Sequence, residues 1–102
     1  MSLSFLKPKD GPVLEVARDK EVVFAKDQPE YIPLRALKSK DRCGCVLSRW
    51  SPTEDQRRRI SNGEDIFLQL MTYHEPLQPV VMYIATDTDD EEIMSILDAE
   101  DK

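Results

Sequence analysis

Unbroken hydrophobicity in this chain is confined to two stretches, IFLQLMTY ending at Tyr73 and PVVMYIAT ending at Thr86. In an extended chain Ile66, Leu68 and Leu70 share one face, and Phe67, Gln69, Met71 and Tyr73 share the other. Runs that are apolar on both faces predict two strands, 65–73 and 79–86, lying inside a sheet or covered by association. The connector His74-Glu75-Pro76-Leu77-Gln78-Pro79 is short enough to join them as an antiparallel hairpin.

The earlier part of the chain is patterned more sparsely. Val13, Leu14, Val16 and Ala17 form a short apolar run, Arg18-Asp19-Lys20-Glu21 a charged turn, and Val22, Val23 and Phe24 a second run; together they predict a hairpin. Residues 31–37 favour extended structure but contain Pro33, so that strand lies at an edge or begins after the proline. Residues 43–50 alternate, with Cys45, Leu47 and Arg49 on one face, which predicts a second hairpin over 31–50. Trp50, the sole tryptophan, reads as a hydrophobic staple or a core plug.

Ser51-Pro52-Thr53-Glu54 has the form of a capping box with proline at the first helical position, and Asn62-Gly63 supplies a stop, so a helix is predicted over 52–61. Ile60 is its single large apolar residue. Such a helix covers a sheet margin or a subunit contact and does not anchor a core. Glu54/Arg58 and Asp55/Arg59 stand at the i, i+4 spacing that favours ion pairs. Residues 90–102 predict an acidic amphipathic helix with Ile93, Met94, Ile96 and Leu97 on one side.

These elements define an α+β fold: a small antiparallel sheet of about five or six strands, one short flanking helix and a C-terminal acidic helix. Residues 1–11 read as a flexible arm, 12–86 as a single domain and 87–102 as an acidic tail. The linker-like Asp87 to Asp90 predicts that the tail is dispensable for folding.

Charge changes the picture mainly at the C-terminal end. The 102 residues carry a net charge of −6, with 33% charged and 40% hydrophobic positions. Eight of the acids lie between Asp87 and Asp101. An acidic chain argues against duplex nucleic acid as a partner, since such binding works by phosphate neutralisation. The N-terminal MSLSFLKPKDG has too short an apolar run for a signal peptide, and no stretch approaches the ~20 apolar residues of a membrane span. The two cysteines, Cys43 and Cys45, flank one glycine and would close a strained ring, so a cytoplasmic location is expected.

Candidate chemistry is thin. Arg57-Arg58-Arg59, with Arg49 ahead of the helix, forms a loose cationic patch suited to an anion or nucleotide, although adjacent helical residues point about 100° apart. Cys43 and Cys45 with the single His74 fall short of a tetrahedral metal site, so no metal and no cofactor are expected. His74-Glu75 is the one local acid–base pair and no nucleophile motif accompanies it, so the chain is not expected to be an enzyme. The tail is the most function-like segment: Ile93, Met94, Ile96 and Leu97, flanked by Glu91 and Glu92, suit docking as a helix in a groove of a partner protein.

Arg49-Trp50, then Thr53, Arg57 and Ile60, then Gly63-Glu64-Asp65-Ile66, Leu68, Thr72 and Pro76-Leu77-Gln78-Pro79 form a pattern that resembles small phage- and prophage-encoded proteins with a W-x-x-T…G-x-x-I-x-L…PLQP-V segment. The likeness covers about a third of the chain and contains no catalytic signature. It implies a phage accessory context inside a host cytoplasm. The expected function is therefore a non-enzymatic, homo-oligomeric interaction protein that binds a host or phage protein. The alternative is a small-ligand oligomer that sequesters an anion or nucleotide through Arg49, Arg57, Arg58 and Arg59.

Overall fold

A computed structural model of the chain describes residues 3–77 and 80–100. The chain divides into two compact units, Met1–Ser51 with Ala85–Lys102, and Pro52–Ile84. Expectations that fall on Gln78, Pro79, Asp101 and Lys102, the end of the long connector and of the tail helix, lie outside the described residues.

The first unit is built on a three-stranded antiparallel sheet in the order β1 (Val22–Phe24), β2 (Leu34–Lys38), β3 (Val46–Leu47). Val23 stands opposite Arg35, and Leu37 opposite Leu47. β2 begins directly after Pro33, where the missing N–H no longer interrupts a ladder. The turn from β2 to β3 is closed by Asp41, whose Oδ1 accepts the Ser39 hydroxyl at 2.8 Å and the Cys43 amide at 3.1 Å. Gly44 completes the turn at φ +61°, a left-handed conformation that costs a glycine little.

The expected count of about five or six strands is corrected to three among the described residues. Val13 to Ala17 does not form the first arm of a hairpin. Leu14 leads into a 3-10 helix over Glu15–Lys20, and β1 pairs with β2 instead. The reason lies in spacing: Leu14 and Ala17 are three apart, which puts both on one side of a helical turn, and both are buried there. The two most apolar runs also fail to pair: residues 64–77 and 80–86 contain no strand.

A six-residue cluster forms the core of this unit: Val13, Leu14, Ala17, Leu37, Ile93 and Leu97, with Leu47 and Met94 packed partly against it. Ile93 and Leu97 come from α2 (Asp90–Asp98), which follows a 3-10 turn at Asp87–Asp89. Each fully buried aliphatic side chain contributes roughly 1.5–3 kcal/mol. α2 is also tied at its end, where the Lys40 amide donates to the Leu97 carbonyl at 2.9 Å and Lys40 Nζ meets Asp98 at 3.4 Å. Within the segment read as an arm, residues 7–9 run antiparallel to 49–51. The Lys9 amide donates to the Arg49 carbonyl at 2.8 Å, and Pro8 stands opposite Trp50. Trp50 is about half exposed, with its indole N–H on the Ser48 hydroxyl, so it does not plug the core.

The second unit contains α1 (Glu54–Ser61). Its cap is Thr53, not Ser51: Thr53 Oγ1 accepts the Gln56 amide at 3.1 Å, and Gln56 Oε1 accepts the Thr53 amide at 2.8 Å. Ser51 is withheld from the role because its own amide donates to the Lys7 carbonyl. The helix ends as the sequence suggests. Gly63 at φ +98° lets its amide reach the Ile60 carbonyl and the Glu64 amide reach the Arg59 carbonyl. Thr53→Ala is expected to lower stability by about 1 kcal/mol, and Ser51→Ala much less; urea unfolding of the two variants, compared at equal slope, checks this.

Candidate functional site

The first unit carries a cleft of about 310 Å³ lined by Lys7, Pro8, Lys9, Asp10, Gly11, Val13, Ile32, Pro33, Arg35 and Arg49. Its position follows from the zipping of residues 7–9 onto 49–51, which brings Lys7 and Lys9 to a wall that β2 and the Ile32-Pro33 approach complete. Four basic residues and one acid line it, with apolar surface supplied by prolines, Val13 and Ile32.

Two of the four cations are already engaged. Arg35 donates from Nε to Glu21 Oε1 at 2.7 Å, and the other Glu21 oxygen accepts the Val13 amide at 2.6 Å. The Glu21 side chain is 5% exposed, so Arg35 serves as the counter-ion of a buried carboxylate that also fixes the backbone. Arg49 Nη1 donates to the Val13 carbonyl at 3.1 Å and to Asp87 Oδ1 at 2.7 Å. The Asp87 side chain is 77% exposed. The hydrogen bond from Arg49, then its charge, and to a lesser degree Lys9, hold the Asp87 carboxyl below its ordinary range. Among the described residues no ion pair involves Lys7 or Lys9.

The four arginines singled out from sequence do not share one setting. Arg49 lines the cleft of the first unit, whereas Arg57, Arg58 and Arg59 sit on α1 in the second. Arg58 pairs with Asp55 at 3.6 Å, an i, i+3 contact, rather than with Glu54. Arg59 reaches past the helix end to Glu64 instead of back to Asp55, donating from Nε at 2.9 Å. That bond holds the Glu64 carboxyl below its ordinary range and raises the Arg59 guanidinium. The Schellman turn at Gly63 is what swings Glu64 into reach.

The tail residues are also divided. Ile93 and Leu97 face the core, Met94 is half-buried, and Ile96, Glu91 and Glu92 face outward. Period 3.6 explains the split: Ile93 and Leu97 are four apart, and Ile96 falls off their line.

In the second unit the apolar segment is laid open. Phe67, Met71, Tyr73, Val81 and Ile84 are 92%, 72%, 77%, 83% and 101% exposed. At its centre the Glu75 amide donates to the Thr72 carbonyl at 2.9 Å, and Tyr73 and His74 have φ of +53° and +67°. Two consecutive left-handed residues closed by that bond are the signature of the turn that joins tight β-hairpins. His74 thus sits in an exposed turn position.

Cys43 and Cys45, on either side of Gly44, are exposed and form no disulfide. Among the described residues no three His, Cys, Asp or Glu side chains gather where they could hold a metal ion. Both thiols of the native protein are expected to react with a thiol reagent as completely as in denaturant, a titration that sluggish native reaction of either one would contradict.

Sequence reasoning missed Lys7, Lys9, Glu21 and Arg35, and the Asp87 partner of Arg49. Pairs such as Arg35 with Glu21 or Arg49 with Asp87 leave no local spacing signal, because they join positions that only the fold brings together. No protein-family model, no curated protein and no solved structure matches this chain. Among the described residues no helix is long and apolar enough to cross a membrane.

Proposed function

We propose that this chain is a non-enzymatic interaction protein, of the phage accessory kind its resemblance implies, that acts through residues 64–84 and pairs first with a second copy of itself. The observation that supports this reading is a hairpin-type turn at Tyr73–His74 whose apolar arms are exposed and carry no ladder. The runs 66–73 and 80–86 contain no charged residue. Two copies therefore meet along these runs without like-charge repulsion, and the exposed backbone groups find partners in the other copy. The outward side of α2, where Glu91 and Glu92 are exposed and Ile96 follows one turn after Glu92, offers a host or phage protein a second contact, one that suits a basic-rimmed groove. Two unbridged thiols accord with a reducing cytoplasm.

Light scattering over a micromolar concentration series tests the reading. The expected result is a mass above one chain, with new amide protection in 66–72 and 80–86. A single-chain mass throughout the series overturns it.

A further inference from the structure

The cleft of the first unit has a feature that the association reading does not use: its best anion-binding group is occupied by a carboxylate of the same chain. Arg49 lies where the pairing of 7–9 with 49–51 places it, and one of its nitrogens is shared between the Val13 carbonyl and Asp87. The two contacts differ in kind. The carbonyl is fixed backbone next to a core residue, whereas Asp87 is largely solvent-exposed and sits in the short 3-10 turn before α2. An ion pair with one side so open to water is weak and readily exchanged. Beside it, Lys7 and Lys9 line the same cleft with no ion pair among the described residues, and Pro8, Val13, Ile32 and Pro33 supply apolar wall. The volume of about 310 Å³ is at the small end of ligand sites.

We propose that this cleft is a binding site for a small organic oxyanion, a carboxylate or phosphate group on a flat apolar body, and that Asp87 is the internal group it displaces. In the bound state the anionic oxygens take the place of the Asp87 carboxylate on Arg49. Lys9, close enough to Asp87 to lower its proton affinity, adds charge from the side, and Lys7 completes the basic rim. The body of the ligand lies against Pro8, Ile32 and Pro33. Arg35 takes no part in anchoring it, because buried Glu21 holds its guanidinium. The displaced Asp87 carboxylate moves into water at little cost, since most of it is already there. The cleft is lined by residues of the first unit, whereas the apolar segment of the proposed function belongs to the second.

The experiment is a titration of the full chain, followed by amide and arginine side-chain NMR, with benzoate, phenyl phosphate and the uncharged isostere benzamide. Saturable shifts at Gly11, Val13 and Arg49 are expected with one or both anions and not with benzamide; the tighter of the two identifies the anion class. R49Q is expected to weaken the anion by about tenfold or more, the usual consequence of losing a hydrogen bond to a charged group. D87N is expected to tighten it about two- to fivefold, the worth of an exposed ion pair removed as competitor. A gain of affinity does not arise from a damaged fold, so D87N keeps the test decisive even where R49Q is destabilised. Equal binding of benzamide, absence of saturable shifts with both anions, or unchanged affinity in D87N each overturn the proposal.

Discussion

A chain ending at Thr86 is expected to lose cooperative unfolding in its first unit. Removing 87–102 takes Ile93 and Leu97 out of a core cluster of six residues and leaves only Val13, Leu14, Ala17 and Leu37 to face one another. It also strips the Lys40 amide of its acceptor, the Leu97 carbonyl, and Arg49 of its carboxylate. A domain this small has little reserve, because a single core of such size barely exceeds the conformational entropy lost on folding. The point substitution Leu97→Ala, which keeps the chain intact, is expected to cost about 2–4 kcal/mol through lost burial and the cavity left behind. Ile96→Ala, one residue away but outward, is expected to stay within roughly 0.5 kcal/mol. Urea unfolding followed by circular dichroism separates these outcomes. A truncated chain with the midpoint of the full one would show that α2 rides on a core complete without it.

That expectation reverses the reading that the tail's own sequence invites. Eight acids within 87–101 and the run Asp87-Thr88-Asp89-Asp90 suggest a solvated linker. The helix was nonetheless legible, with Ile93 and Leu97 on its buried side but Ile96 off it, and so were the β2–β3 hairpin, the start of β2 after Pro33 and the stop at Gly63. Each of these is written in neighbours a few residues apart. What the sequence reading gets wrong is the cap, which it places at Ser51 and the structure places at Thr53. Ser51…Glu54 and Thr53…Gln56 both have the capping spacing, and the choice falls to Thr53 because Ser51 is engaged with Lys7, 44 positions back along the chain. The anion cleft was legible only at Arg49. Its lysines Lys7 and Lys9, and the Asp87 carboxylate that pairs with Arg49, are distant from Arg49 in sequence, and the basic run Arg57-Arg58-Arg59 drew attention by adjacency while Arg58 and Arg59 are spent on local acids.

The hairpin over 65–86 failed for a reason the chain itself contains. Strands need a neighbour, and a lone two-stranded hairpin is marginal in water. The turn also forms at Tyr73–His74, at the very start of the expected connector. In the register this turn imposes, Pro79 would stand opposite Leu68 at a position whose N–H must donate to the ladder, and proline has none. Intrachain pairing beyond the first few residues is therefore blocked, while each arm keeps its β-favouring composition. Another chain is free to choose a register that avoids the proline.

Phe67→Asp combined with Ile84→Asp is accordingly expected to abolish self-association while leaving the monomer as stable as before. Both side chains are almost fully exposed, so neither supports the folded units. In an associated state they belong to an uncharged apolar seam, where an unpaired carboxylate costs several kcal/mol of desolvation. Sedimentation velocity at equal concentration reads the effect as a collapse from the oligomer to the single chain, and urea unfolding of the dispersed variant reads the stability of what remains. Gln69→Asp lies in the same run but replaces a side chain that is already polar, so it is expected to weaken association less than the double change. An oligomer that survives both aspartates would place the contact elsewhere in the chain, and the open arms of this turn would then have to be explained as surface the protein tolerates rather than uses.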